Sequence, residues 1–119
     1  MGTMHTFDQL AAHKNNLDLR WQIIKTIREF FWVQEFCEVD APSLMRLPGQ
    51  EPYLSPMTLT IHDENRKEYK RFLHTSPEFA MKKLLAAGYT NIFYLGKCFR
   101  DFESFGRNHY PEFTMLEWY

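Results

Sequence analysis

The chain lacks an excess of charge of either sign, and this absence limits its partners. Its 119 residues contain 14 Lys and Arg against 15 Asp and Glu, giving a formal net charge of −1 at pH 7. A nonspecific nucleic-acid binder is normally strongly basic, so the charge balance argues against that class. Local basic patches remain compatible with the composition.

Cysteine is scarce, and long hydrophobic runs are missing. The two cysteines, Cys37 and Cys98, stand alone without the spacing of a metal site, which favours reduced packing thiols in a cytosolic protein. The beginning of the chain has no apolar run of the signal-peptide type, and no segment reaches the length that crosses a bilayer. We therefore expect a cytoplasmic protein with no membrane partner.

The chain does contain enough apolar material for a folded core. Hydrophobic residues make up 45% of the sequence, aromatic residues 17% and charged residues 24%, which is typical of a folded domain rather than a disordered segment. No repeat, low-complexity tract or linker interrupts the sequence, so length and composition fit one domain.

The order of the predicted elements indicates an α+β fold. Apolar residues recur at helical spacing over 16–34, preceded by the capping residues Asn15 and Asn16. Ser76-Pro77-Glu78 predicts the start of a second helix, with Ser76 as the N-cap, and Gly88 predicts its end. Strands are expected at 37–39, 57–62, 69–74, 92–99 and 112–119, a turn at 63–67, and irregular loops at 44–56 and 101–111. This order predicts a mainly antiparallel sheet flanked by helices.

The most informative segment is the hairpin 99–119, in which charged and aromatic residues surround a glycine-containing turn. Arg100, Arg107 and His109 can hold an anion such as a phosphate. Phe113 is suited to stack on a base, and Glu117 to meet a cation. Pattern alone favours a simpler interpretation, in which surface salt bridges join the two arginines to Asp101, Glu103 or Glu112.

Glu78 also has two interpretations. An acidic residue in the first turn of a helix often serves only the helix dipole. The same carboxylate can instead bind a cationic ligand group, and spacing alone leaves both open.

Several segments together resemble the class II lysyl-tRNA synthetases, and in particular the elongation-factor-P lysine ligases, which lack the anticodon domain. These segments are Thr75-Ser76-Pro77-Glu78, the helix containing 81–88, Phe99-Arg100, Gly106-Arg107 and the run 111–119. The helix at 16–34, the strand at 37–39 and Pro42 are similar to motif 1 of the family, and 99–119 is similar to motif 2, the ATP hairpin. The resemblance implies a truncated class II catalytic fold at 16–119, with an N-terminal extension at 1–15.

The resemblance also implies a role for each matching residue. Arg100 would bind the ATP α-phosphate and the substrate carboxylate, and would act catalytically by stabilising charge on the phosphorus. Glu78 would hold the α-ammonium of the amino acid, while Glu117 and Tyr119 would face the lysine side chain. The other ATP contacts would be Phe113 stacked on adenine, Arg107 and His109 near the distal phosphates, and Glu103 in adenine recognition.

The chain departs from the family pattern in two places. The glutamate that normally follows the Phe-Arg pair is replaced by Phe102, and Glu103 stands one position later. Motif 3, a glycine-rich strand and helix with an arginine for the γ-phosphate, has no counterpart, and neither do the acidic residues that hold Mg²⁺. The resemblance therefore implies ATP as the cofactor, with Mg²⁺ expected from the family and no metal ligands in this chain.

Two functions fit these observations. The first is ATP-dependent activation of lysine or a similar amino acid as an adenylate, for transfer to tRNA or to a protein lysine of elongation factor P. The substrate carboxylate would attack the α-phosphorus directly, without a protein nucleophile. The alternative is a non-catalytic truncated module that dimerises and binds ATP.

Apolar residues of the first helix favour a homodimer through the motif 1 helix over cover by the chain's own sheet. The residues that exceed one apolar face are Trp21, Ile24, Phe30, Phe31 and Trp32.

Overall fold

The computed structural model describes residues 6–49 and 51–119, and the chain forms two compact units. The first unit ends at Glu35, and the second begins at Phe36. In the described part of the chain, no helix combines the length and the apolar character needed to span a membrane.

The first unit contains two helices, α1 at Phe7–Ala12 and α2 at Lys14–Val33. A capping box begins α1: the Thr6 hydroxyl accepts from the Gln9 N–H (3.4 Å), and the Gln9 side chain accepts from the Thr6 N–H (3.0 Å). Six residues are too few to show a helical apolar period, so the sequence prediction misses α1. Residues 1–5 of the expected extension lie outside the described residues.

Helix α2 begins two residues earlier than the predicted 16–34, so the two asparagines expected to cap it lie inside its first turn. His13 separates α1 from α2. Its N–H donates to carbonyls of α1, and its own carbonyl accepts from the Leu17 N–H (3.0 Å). The chain thus passes directly from one helix to the next, and α2 needs no side-chain cap at its start.

Large apolar side chains of α2 are mostly exposed. Phe31 is buried, and its ring meets the ring of Phe30 edge-on at 5.3 Å. Of the five residues expected to exceed one face, Trp21, Phe30 and Trp32 are exposed, Ile24 is half-buried and Phe31 is buried. The other exposed large apolar residues of α2 are Leu19, Ile23 and Val33.

The described residues of the second unit form six strands and one helix, which confirms the α+β prediction. In chain order it contains β1 at Cys37–Glu38, β2 at Leu44–Met45, β3 at Thr58–His62, β4 at Glu68–Leu73, α3 at Glu78–Ala86, β5 at Ile92–Phe99 and β6 at Glu112–Trp118. The bounds of the five predicted strands agree with the structure to within one residue. The strands form two three-stranded sheets rather than one.

The first sheet has the strand order β1-β5-β6 and holds the predicted hairpin. Strands β5 and β6 pair antiparallel from Phe93 opposite Trp118 to Phe99 opposite Glu112. Strand β1 runs parallel to β5, with Cys37 opposite Ile92. This parallel pair qualifies the expectation of a mainly antiparallel sheet.

The second sheet has the order β2-β4-β3 and is antiparallel throughout. Strand β2 corrects the predicted irregular loop at 44–56, because Leu44 pairs with Leu73 and Met45 with Phe72. A two-residue strand has no period that a sequence pattern can reveal. Gln50, in the same loop, lies outside the described residues.

Asp63 organises the predicted turn between β3 and β4. Its carboxylate accepts from the N–H groups of Asn65 (2.8 Å) and Lys67 (3.0 Å) and from the Tyr69 hydroxyl (3.0 Å). These hydrogen bonds favour the ionised form, so they lower the pKa of Asp63, with the Lys67 N–H as the largest cause.

Helix α3 begins one residue later than predicted and ends as predicted. Pro77 precedes the first helical residue, and the Ser76 hydroxyl accepts from the Glu78 N–H (3.3 Å), so Ser76 keeps a capping contact. Gly88 adopts φ +100°, a left-handed conformation that suits glycine, just after the helix ends.

The core of this unit forms where α3 packs on the first sheet. Met81, Ile92 and Cys98 are fully buried, and Tyr94 nearly so. Burying one such aliphatic side chain contributes about 2 kcal/mol. This core fixes the start of α3 beside β5 and β6. Burial raises the pKa of the Cys98 thiol to about 12, whereas Cys37 is exposed, so only one of the two free thiols is a packing residue.

Candidate functional site

Arg100 directly follows β5 and is held by both its backbone and its side chain. Its N–H donates to the Pro111 carbonyl (2.9 Å), which closes the base of the loop between the two strands. Its Nε donates to the Thr75 carbonyl (3.3 Å), and its guanidinium carbon lies 4.9 Å from the centre of the Phe113 ring. The residue is half-buried. A carbonyl and an aromatic face therefore orient this cation.

Arg100 forms no ion pair within the described residues. Glu112, one of the acidic partners considered for it, lies 3.8 Å from the Lys97 ammonium instead. The salt bridges that pattern alone favours are therefore not found: within 6–49 and 51–119, neither Arg100 nor Arg107 pairs with an acidic side chain. The guanidinium keeps donors available for an anionic ligand.

The loop 101–111 carries Arg107 and His109 at an exposed tip. Gly106 and His109 form a small bridge, in which the Gly106 N–H donates to His109 (3.1 Å) and the His109 N–H donates to Gly106 (3.4 Å). The centres of the Phe105 and Tyr110 rings lie 6.3 Å apart. The roles expected for Arg107 and His109 stay predictions.

The departure at Phe102 has a structural counterpart. Phe102 adopts φ +55°, a left-handed conformation, and its side chain is exposed. Its backbone N–H donates to the Asp101 carboxylate (3.0 Å). Glu103 follows as a half-buried residue without a hydrogen bond to any described residue. Its expected role in adenine recognition stays a prediction.

Glu78 and Lys82 form an ion pair at the start of α3. The Lys82 ammonium lies 2.5 Å from the Glu78 carboxylate, four residues earlier. This hydrogen bond and the positive charge of Lys82 lower the pKa of Glu78, and the same bond and the negative charge of Glu78 raise the pKa of Lys82. The helix dipole is thus only one of the interactions available to Glu78.

Glu117 and Tyr119 lie two residues apart on β6 and the residue that follows it. The Tyr119 hydroxyl donates to the Glu117 carboxylate (3.4 Å). Burial raises the pKa of Glu117, and the negative charge of Glu78 raises it further. Burial also raises the pKa of Tyr119, followed by the charges of Glu117 and Glu78. Glu78, Glu117 and Tyr119, three of the four residues predicted to hold the amino acid, therefore share one electrostatic environment.

Glu51 belongs to the same environment and is missing from the predicted set. Its carboxylate accepts from the Ser76 hydroxyl (3.1 Å), and its charge adds to the rise in the pKa of Glu117. No sequence signal connects Glu51 to α3, because 25 residues separate it from Ser76. Lys82 could be found from its four-residue spacing to Glu78. Thr75 contributes a backbone carbonyl, which residue identity does not encode.

Metal ligation has no site in this region. Among the described residues, no group of three His, Cys, Asp or Glu side chains is placed to hold a metal ion. A hollow of about 510 Å³ lies on the second sheet, and its lining contains none of the predicted site residues. Its lining consists of Thr58, Leu59, Thr60, Glu68 and Lys70.

Comparison with known proteins matches the chain to one family over nearly its whole length. The family model for tRNA synthetases class II (D, K and N) covers residues 6–119. This match includes every residue of the site described above.

Curated relatives share the same region. An elongation factor P–(R)-β-lysine ligase of Hamiltonella defensa is 42% identical over 112 residues, which is 93% of this chain and 34% of the relative. The protein of the same name from Pseudoalteromonas translucida is 46% identical over 110 residues, 92% of this chain and 34% of the relative. That of Vibrio campbellii is 41% identical over 117 residues, 98% of this chain and 36% of the relative. The chain spans about a third of the length of these relatives.

Proposed function

The chain belongs to the class II tRNA synthetase family (D, K and N), and we propose that it forms the α-phosphate and amino-acid side of an adenylate-forming site. The proposed substrate is lysine or a lysine-like amino acid such as (R)-β-lysine, which appears in the names of its relatives. Elongation factor P is the proposed acceptor ahead of tRNA for the same reason.

One observation carries this proposal: Arg100 is half-buried and oriented, yet has no anionic partner among the described residues. The Thr75 carbonyl accepts a hydrogen bond from Arg100 Nε, and the Phe113 ring contacts one face of the guanidinium. Its remaining N–H groups suit the oxygens of a phosphate, which accept two parallel hydrogen bonds. The aromatic ring of Phe113, beside this cation, would stack on the adenine.

The acidic side of the site suits a substrate with two ammonium groups. Glu78 would take the α-ammonium in place of Lys82, and Glu117, with Tyr119 beside it, would take the side-chain ammonium. Burial and the negative charge of Glu78 raise the pKa of Glu117, so an ammonium group placed beside it would stabilise its ionised form. An amino acid with a neutral side chain would leave that carboxylate unpaired, so the site would discriminate against it.

The reaction needs positioning and electrostatic stabilisation from these residues. An oxygen of the substrate carboxylate forms a bond to the α-phosphorus, and the bond to pyrophosphate breaks. Arg100 would stabilise the negative charge that develops on the α-phosphate oxygens during this exchange. Arg107 and His109 would approach the distal phosphates from the loop, and Glu103 the adenine. The described residues offer Mg²⁺ no cluster of ligands, and no step here depends on it.

A second candidate function is a dimerising module without activity of its own. Trp21, Phe30 and Trp32 each leave half or more of their surface exposed on α2. A second copy of the chain is the proposed partner, since like faces bury one another in a two-fold interface. Sedimentation velocity should show a dimer that Trp21→Arg converts to a monomer. A monomeric wild-type chain would reject this candidate.

Further expectations go with the main proposal. We propose residues 16–119 as a partial catalytic domain that contains the motif 1 and motif 2 regions, and 1–15 as an extension to it. A cytoplasmic location stays a prediction.

The test of the main proposal is lysine-dependent exchange of ATP with labelled pyrophosphate, paired with calorimetric titration of ATP. We expect the wild-type chain to bind ATP and to catalyse exchange, with (R)-β-lysine compared directly with lysine. Arg100→Ala should lose both signals. If the wild-type chain does no better than Arg100→Ala in either assay, adenylate formation by this chain is rejected.

A further inference from the structure

A buried polar cluster lies behind Arg100 and has no role in the site described above. His74 is 3% exposed and Tyr94 7% exposed. Both reach the carbonyl of Lys97, the His74 Nε2 at 2.6 Å and the Tyr94 hydroxyl at 2.9 Å. Because a carbonyl oxygen only accepts, both side chains donate, which assigns the imidazole proton to Nε2.

Because Gly96 has no side chain, it leaves room for the Tyr94 hydroxyl. A Cβ at position 96 would lie 2.7 Å from that oxygen and 2.8 Å from the ring carbon that bears it. The Tyr94 ring also meets the His74 ring edge-on, with centres 5.8 Å apart. His74, Tyr94 and Gly96 are therefore fitted to one another.

The backbone next to this cluster leads directly to Arg100. The His74 carbonyl accepts from the N–H of Phe99 (3.0 Å), the residue before the arginine. The following carbonyl, of Thr75, accepts from Arg100 Nε. The segment 74–75 thus fixes both the chain entering Arg100 and its guanidinium.

We propose that His74 and Tyr94 are positioning residues for Arg100, acting through the carbonyls of 74–75. This inference rests on the proposed function for the identity of the ligand, which is the α-phosphate of ATP. Losing either donor lets the segment 74–75 shift. Without the His74 N–H, residue 74 loses its tie to the Lys97 carbonyl, and without the Tyr94 hydroxyl the same buried carbonyl, to which His74 is bound, is poorly satisfied where it stands. A shifted segment releases the Arg100 Nε and turns the guanidinium away from its binding geometry.

The test uses two readouts, the ¹H–¹⁵N resonance of Arg100 Nε–H and the affinity for ATP. The resonance is assigned by its loss in Arg100→Lys. Tyr94→Phe and His74→Leu should shift it, speed its exchange with water and weaken ATP binding roughly tenfold. His74→Gln retains an N–H donor and should restore much of both.

Tyr69→Phe is the matched control. It also removes one tyrosine hydroxyl with a hydrogen bond, the one to Asp63 in the turn between β3 and β4. It should leave the Arg100 resonance and the ATP affinity unchanged.

Two outcomes separate this inference from the proposed function. If Tyr94→Phe lowers the melting temperature while the Arg100 Nε–H resonance and the ATP affinity keep their wild-type values, the cluster is structural and positioning is rejected. If the wild-type chain binds no ATP, the proposed function fails, while the response of the resonance still decides whether His74 and Tyr94 position Arg100.

Discussion

The paired strands β5 and β6 and the loop 101–111 that joins them hold the predicted site residues under very different constraints. Phe113 and Glu117 lie on β6, whose ladder with β5 runs from Phe93 to Phe99, and Arg100 follows immediately. Arg107 and His109 lie on the loop, which one small backbone bridge closes. Arg100, Phe113 and Glu117 are half-buried, whereas Arg107 and His109 are exposed.

This difference separates residues that are positioned before a ligand arrives from residues that a ligand must order. Fixing an exposed long side chain costs about 0.5–1.5 kcal/mol on binding, which offsets much of what a surface charge contributes. Arg100 has already lost that freedom through its contacts with Thr75 and Phe113. We therefore expect the ladder to dominate both activity and stability.

Replacing the two arginines in turn gives the largest expected contrast. Arg100→Ala should lower pyrophosphate exchange about 100- to 1000-fold, since a preorganised cation at the reacting phosphate is removed. Arg107→Ala should lower it less than about tenfold, because its charge is exposed and screened. Steady-state exchange at one fixed ATP concentration, the same for both variants, measures the two losses.

The contrast depends on both variants remaining folded, which circular dichroism and melting temperature establish. Arg100→Lys keeps the charge but loses the planar fork, and should recover only part of the activity. Equal losses in Arg100→Ala and Arg107→Ala would show that the loop is as well positioned as the ladder.

Two glycines test the same comparison through stability. Gly96→Ala should destabilise the chain by about 1–3 kcal/mol, because its Cβ would collide with the Tyr94 ring and hydroxyl. Gly106→Ala should change stability by less than about 0.5 kcal/mol, since nothing lies within 4 Å of a Cβ there. Urea unfolding of both variants measures the difference. If Gly96→Ala left the free energy of unfolding unchanged, the backbone of β5 or the Tyr94 side chain would have to move to accept the new Cβ, and the predicted rigidity of this strand would be wrong.

The same two regions show what sequence patterns can and cannot predict. The bounds of β5 and β6 follow from apolar and alternating residues, because a ladder forces side chains to opposite faces. The positive φ of Phe102 and the bridge at Gly106 depend on backbone geometry that no local pattern in this loop encodes. Contacts across the chain, such as Glu51 with Ser76, are lost for a related reason: tertiary packing brings them together.

Phe102 offers a smaller test within the loop. Its left-handed backbone strains a side chain that is 89% exposed, so little packing is lost on removal. Phe102→Gly should raise the free energy of unfolding by about 0.5 kcal/mol. The substitution relieves the backbone strain, and part of this gain is offset because glycine increases the conformational entropy of the unfolded chain. Phe105→Gly, at an exposed loop position outside the left-handed region, should lower stability by a similar amount. Thermal unfolding decides, and a loss in Phe102→Gly as large as in Phe105→Gly would remove the case for strain.

The smallest expected effect concerns Glu117, whose ionised carboxylate lowers the stability of the folded chain and is the proposed partner of the substrate ammonium. Burial and the charge of Glu78 raise the pKa of this carboxyl in the folded state. Its favourable contribution to stability is therefore complete below the pKa of the unfolded carboxyl, and is lost as pH rises through the higher folded value. Glu117→Gln, which never ionises, should melt roughly 2 °C above wild type near pH 7 and gain progressively less toward pH 4.

Glu103→Gln removes the same charge from the loop and serves as the control for net charge. The substrate ammonium would neutralise Glu117, so saturating lysine should cancel the stability difference by stabilising wild type alone. A pH-independent gain in Glu117→Gln would attribute the effect to packing, and an unchanged gain with lysine would remove Glu117 from the amino-acid site. The carboxylate that destabilises the empty ladder is thus the one that a cationic substrate would need most.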